Sequence, residues 1–138
     1  MKRTLFVVAV ALLAAACQVD SRDQVLASTQ SQVALRSIQT RAFDTNDKHT
    51  TLRSVISTLQ DLGFVINEAD DVLGSISATK LDNYDLRMTV TVRPRGDTQM
   101  LVRANAQYNA EAVEDPLPYQ RFFTSLERSM FLTAQHVD

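Results

Sequence analysis

Two neighbouring stretches of the chain alternate strictly between apolar and polar side chains, and they constrain the fold more than any other feature. The turn-forming segment PRGD, at 94–97, lies between them. Successive side chains of a strand point to opposite faces of a sheet, so the alternation predicts an antiparallel hairpin with one buried and one polar face. The apolar positions are Leu86, Met88, Val90 and Val92 in the first stretch, and Met100, Val102, Ala104, Ala106 and Tyr108 in the second.

The segment 52–80 predicts a helix followed by two strands, at 64–69 and 73–80. Its first apolar residues recur with the period of an amphipathic helix, and Gly63 suits the left-handed position just past a helix end. We expect Phe64 to fold back onto Leu59, which is the apolar contact that often accompanies such an ending. The helical stripe consists of Leu52, Val55, Ile56, Leu59 and Leu62.

A further strand and a second helix flank this unit. Residues 35–43 alternate imperfectly and predict the first strand, after which Asp47 or Thr45 supplies the helix cap. Asp115 followed by Pro116 predicts the start of a final helix. The order β-α-β-β-β-β-α over 34–138 predicts an α+β domain of two layers, an antiparallel sheet with two helices packed on one face. The final helix carries the stripe Tyr119, Phe122, Phe123, Leu126 and Met130, with Phe131 beside it.

Residues 1–16 have the organisation of a secretory signal peptide. Lys2 and Arg3 precede an apolar run that is shorter than the ~20 residues a membrane-spanning helix needs. The run ends in Ala14-Ala15-Ala16-Cys17, which resembles the lipobox of bacterial lipoproteins, although that family prefers leucine where Ala14 stands.

The lipobox resemblance implies that Cys17 carries fatty acyl chains and becomes the mature N-terminus. In that case the polar residues 17–33 form a flexible tether between the lipid and the domain. Gln18, in place of an aspartate, implies an anchor in the outer membrane with the domain on the periplasmic side. The alternative is ordinary signal-peptide cleavage, which leaves Cys17 as a free thiol.

Composition argues against several classes of function. The net charge of −2 disfavours a general nucleic-acid binder, and a single cysteine cannot form an internal disulfide. His49 and His136 lack the spacing of a metal pair, and three glycines leave no phosphate-binding loop. Asp70 and Asp71 are expected to form a solvated turn. We therefore expect no enzymatic activity, no cofactor and no metal.

Two resemblances extend this interpretation. The element order resembles helix-grip and TATA-binding-protein-like folds, including the lipoprotein BamC of the outer-membrane assembly machine. The segments LQDLGF at 59–64, LGSISATK at 73–80 and DPLPYQRFF at 115–123 resemble a group of small bacterial outer-membrane lipoproteins with no assigned activity. The resemblance implies a lipid-anchored domain facing the periplasm, and it supplies no catalytic residues.

The polar face of the predicted sheet is the candidate functional surface. Arginines among small polar groups can bind carboxylates of an envelope protein or of peptidoglycan, although a purely solvated face has the same composition. A second hypothesis is a carrier of a small hydrophobic or lipid ligand between the sheet and the C-terminal helix. The candidate partner-binding residues are Arg87, Arg93, Arg103 and Asn105, with Ser75, Ser77, Thr79, Thr89, Thr91, Gln107 and, through the first strand, Arg41.

Lipidation of Cys17 gives a direct prediction. The substitution Cys17→Ser removes the acyl acceptor, so we expect the protein to lose its membrane attachment. Fractionation of cells after a salt wash measures this. A Cys17→Ser variant that still sediments with membranes would contradict the lipobox interpretation.

Overall fold

The computed structural model describes residues 31–81, 85–132 and 134–137. The chain divides into the units Met1–Ala34 and Leu35–Asp138. The predicted signal peptide, Cys17 and the tether up to residue 30 lie outside the described residues.

The larger unit contains an antiparallel sheet that carries helices on one face. The strand order is β2-β3-β4-β5-β1-β7, with β6 paired to β5, and every pairing is antiparallel. This is an α+β fold with the two later helices packed against the sheet, as the sequence predicts. The strands are β1 (Thr40–Phe43), β2 (Val65–Asp70), β3 (Ser75–Leu81), β4 (Asp85–Arg95), β5 (Gln99–Tyr108), β6 (Glu111–Ala112) and β7 (Gln135–His136), and the helices are α1 (residues 31–39), α2 (Lys48–Asp61) and α3 (Pro116–Met130).

The first strand is shorter than predicted. The sequence prediction placed it at 35–43, but 31–39 is helical and only Thr40–Phe43 pairs with β5. The physical reason is the spacing of Leu35, Ile38 and Gln39, which fits one face of a helix as well as it fits an irregular strand. Ile38 packs against the core and Gln39 is buried.

Helix α2 begins and ends with the local interactions that the sequence predicts. Asp47 is the N-cap, because its carboxylate accepts hydrogen bonds from the Thr50 backbone N–H at 2.9 Å and the Thr50 hydroxyl at 2.7 Å. These bonds lower the pKa of Asp47. At the other end Gly63 has φ +87°, and the Phe64 backbone N–H donates to the Leu59 carbonyl at 2.9 Å.

The core lies between the helices and the apolar face of the sheet. The side chains there are almost fully buried. The buried Tyr119 hydroxyl donates to the Val113 carbonyl at 2.7 Å and accepts from Gln39 Nε2 and the Ala106 N–H, each at 3.3 Å. Phe131, at the left-handed end of α3, is 94% exposed and lies outside the stripe. The fully buried side chains include Val55, Leu59, Phe122 and Leu126 of the helices and Val90, Val92, Val102, Ala104 and Ala106 of the sheet.

Two glycines with the same backbone conformation offer a matched test of the packing. Gly74 and Gly96 have φ of +70° and +61°. A Cβ at Gly74 would overlap the Val92 carbonyl oxygen, whereas one at Gly96 would meet nothing within 4 Å. Gly74 also accepts a hydrogen bond from the Val92 N–H at 2.8 Å.

We expect Gly96→Ala to lower the free energy of unfolding by about 1–2 kcal/mol, which is the cost of a left-handed alanine. Gly74→Ala should cost about 3 kcal/mol or more, because backbone must move and a buried hydrogen bond is strained as well. Urea denaturation of both variants measures the difference. Equal losses would show that the contact between Gly74 and β4 is looser than the structure indicates.

Candidate functional site

The polar side chains of three neighbouring strands line up in rows across one face of the sheet, here called the open face. The strand register pairs Thr79 with Arg87, and Thr91 with both Ser75 and Arg103. Since the register has no shift between β3 and β5, side chains on this face alternate with the buried ones throughout. The structure thus brings together the predicted set Arg87, Arg93, Arg103 and Asn105, with Ser75, Ser77, Thr79, Thr89, Thr91 and Gln107 between them.

The arginines of the open face are exposed and have no acidic neighbour in contact. Within the described residues, no carboxylate oxygen lies within 4.0 Å of the guanidinium nitrogens of Arg87, Arg93 or Arg103. Arg93 faces Leu101 and Arg103 faces Thr91 across β4 and β5, so Arg93 and Arg103 are diagonal neighbours about 7–8 Å apart at the backbone. Each guanidinium can therefore offer its paired N–H groups to a carboxylate from outside.

Small polar side chains lie between these arginines and keep this face of the sheet accessible. One register row across the centre of the open face consists of short side chains: Ser77, Thr89 and Asn105. The acidic residues on this side stand at its margins: Asp85 begins β4, and Glu68 and Asp70 lie on the edge strand β2. An extended acidic partner would meet positive charge along β4 and β5, on either side of this row.

Arg41 does not belong to the open face, contrary to the prediction. It pairs with Val102, whose side chain is buried, and its guanidinium carbon lies 5.0 Å from the Phe123 ring centroid on the helix side. Its Nη1 donates to the carbonyls of Ser37 and Thr40 at 2.8 and 2.7 Å.

Burial lowers the pKa of Arg41, and the nearby Glu127 carboxylate partly offsets this effect. The group stays charged, since an arginine does not lose its proton in a protein. Its position could have been predicted from Phe43. Residues two apart on a strand share a face, and Phe43 had to point into the core.

A groove opens at one end of the helical layer, between the sheet and the start of α3, which is the region where the second hypothesis expects a hydrophobic ligand. We call it the end groove; it has a volume of about 280 Å³. Lys80, Leu86 and Tyr108 line it as one register row of the sheet, together with Leu62 after the end of α2 and Leu117 at the start of α3. Its apolar lining consists of Leu62, Phe64, Leu86, Met88, Leu117 and Pro118.

The remaining candidates form a turn that is satisfied by its own contacts. The Asp70 carboxylate accepts from the Leu73 N–H at 2.8 Å, and Lys48 Nζ donates to the carbonyls of Asp71 and Val72. His49 Nδ1 lies 3.6 Å from Asp71 Oδ1, with both side chains about 70% exposed, so the pair contributes little to stability. Across the described ranges, no three His, Cys, Asp or Glu side chains are close enough to hold a metal ion.

Comparison with known proteins assigns neither a family nor a function to the chain. No protein-family model matches the chain, and no curated protein matches it. The resemblances to small outer-membrane lipoproteins and to BamC therefore stay predictions. Among the helices that the structure describes, none is long and apolar enough to cross a membrane.

The structural role of Arg41 on the helix side of the sheet can be tested by substitution. Arg41→Lys keeps the charge but loses the planar group that stacks on Phe123 and reaches two carbonyls, so we expect a loss of about 1 kcal/mol in unfolding free energy. Arg36→Lys, at an exposed position of α1, is the matched control and should change nothing measurable. Thermal denaturation compares them, and equal stabilities would contradict a structural role for Arg41.

Proposed function

We propose that this protein is a non-enzymatic interaction module, anchored by lipid at Cys17 to the outer membrane and facing the periplasm. In this role it serves as an accessory subunit of a cell-envelope assembly or transport system. The open face binds an acidic segment of a partner protein. The anchor and location rest on the N-terminal sequence, and the binding surface rests on the strand register.

The observation that carries this proposal is the concentration of arginines on β4 and β5 of the open face. Arg87, Arg93 and Arg103 share a face with Asn105, are exposed, and have no carboxylate in contact among the described residues. Arginine binds carboxylates through two parallel hydrogen bonds, which adds geometric specificity to the attraction of charge. A partner's carboxylates would complete hydrogen-bonding groups that this chain leaves to solvent.

The non-enzymatic assignment is supported by the chemistry of the same face. Hydrolytic or transfer chemistry requires a nucleophile beside a base, or convergent groups with shifted pKa values. Glu68 and Asp70 of β2 pair with Ser77 and Ser75, but among the described residues no serine or threonine hydroxyl of the open face is hydrogen bonded to a carboxylate or a histidine. Recognition of anions is the chemistry that these residue types perform best.

Site-specific crosslinking in cells tests the proposal. A photo-crosslinking amino acid in place of Thr89, at the centre of the open face, should capture a specific envelope protein. Arg87→Glu combined with Arg103→Glu should reduce capture by about tenfold or more, because each reversal replaces an attraction by a repulsion. Neither side chain has a partner to lose among the described residues, so the variant should remain folded.

Arg53→Glu, at an exposed position of α2 in the other layer, is the matched control and should leave capture unchanged. If the double reversal leaves capture intact, the open face is the wrong surface. If the protein is retained on purified peptidoglycan and captures no protein, the carboxylates belong to the cell wall and the proposed protein partner is wrong.

A further inference from the structure

We propose that the end groove binds a single apolar chain that terminates in an anionic group, such as a monoacyl carboxylate. The site lies on the helix side of the sheet. Lys80, Leu86 and Tyr108 point to that side, whereas Arg87 and Gln107 point to the open face. This binding site is therefore independent of the proposed partner surface.

The apolar part of the proposal follows from what the helices leave uncovered. Leu117 is 45% exposed and Tyr108 39% exposed, although both stand beside the continuous core. Leu86 packs against the core cluster from the groove floor, next to the fully buried Met88. An apolar chain laid along this floor would remove exposed hydrocarbon from water, which is the main source of affinity in such sites.

The size of the groove limits the occupant. Its volume of about 280 Å³ lies just below the usual range for small-molecule sites, which begins near ~300 Å³. It is open to solvent along one side, so a head group can remain in water while the chain is buried. This volume suits one short chain better than a lipid with two long ones.

Two cations at the groove specify the sign of the head group. Lys80 and Arg121 both line it, and no carboxylate of the described residues lies within 4.0 Å of either charged group. The Lys80 side chain runs beside Gly63, where a Cβ would be 3.5 Å from its Cε. The one acidic residue of the lining, Asp115, already accepts a hydrogen bond from the Leu117 N–H at 2.9 Å as the cap of α3.

The chain contains no tryptophan, which permits a clean reporter. In the full-length chain carrying Leu117→Trp, the indole is the only one present and lies in the groove lining. Titration with decanoate should give a saturable shift in tryptophan emission. Decanol and decylammonium, which have the same chain but no negative charge, should bind about tenfold more weakly or worse, because they leave both cations unpaired.

Substitution of the cations provides the second half of the test. Lys80→Gln and Arg121→Gln should each weaken decanoate binding by about three- to tenfold. Arg128→Gln, on the same helix but outside the groove lining, is the matched control and should have no effect. Calorimetric titration of the unsubstituted chain repeats the measurement without the reporter.

The results of these titrations either support or overturn the proposal. Saturable binding that prefers decanoate and depends on Lys80 and Arg121 supports the proposal. Equal affinity for decanol and decanoate, an unchanged affinity in the double variant Lys80→Gln with Arg121→Gln, or the absence of saturation with the unsubstituted chain would each overturn it. Binding that also falls on charge reversal at Arg87 and Arg103 would place the ligand on the open face instead.

Discussion

The register of β3, β4 and β5 is the constraint on which the rest of the structure depends. Each strand alternates apolar and polar residues, and the three patterns run in phase across the sheet without a shift. A slip of one residue in β4 would place Arg87 and Arg93 against the helices and turn Val90 to solvent. The hydrogen bond from the Val92 N–H to the Gly74 carbonyl ties the β2–β3 hairpin to β4 and holds this phase.

Both candidate sites result from the placement of apolar and polar side chains on opposite faces of the sheet. The apolar face draws α2 and α3 onto the sheet, and the Ala106 N–H of β5 donates to the Tyr119 hydroxyl of α3 at 3.3 Å. The end groove lies on the same apolar face, where the row of Lys80, Leu86 and Tyr108 meets Leu62 after α2 and Leu117 of α3. Helices α2 and α3 leave the polar face uncovered, and its arginines are exposed.

Much of this architecture could be predicted because its signals are local. The β4–β5 alternation, the Asp47 cap, the Gly63 and Phe64 ending and the start of α3 at Asp115 each depend on a few neighbouring residues. Helix α1 could not be predicted with the same security, because its apolar spacing is ambiguous over so short a stretch. The sequence suggested a ligand site between the sheet and the C-terminal helix, but the residues that line the end groove could not be predicted, since they depend on where two helix ends meet the sheet.

The arginines show why residue type alone could not define the site. Arg41 and Arg103 lie one register position apart on neighbouring strands, with Arg41 beside Val102 and Arg103 beside Thr40. They point to opposite faces: Arg41 is enclosed by two carbonyls and the ring of Phe123, and Arg103 is exposed.

A face that is merely solvated gains most from charges of both signs interspersed, since neighbouring like charges repel. Between Arg87 and the end of β4, and along all of β5, the charged residues on the open face are arginines alone, while the acids stand at the margins. The arginines of this group repel one another, and an anionic partner would relieve that repulsion. The asymmetry of charge, more than the presence of arginine, therefore favours a binding surface over a solvated one.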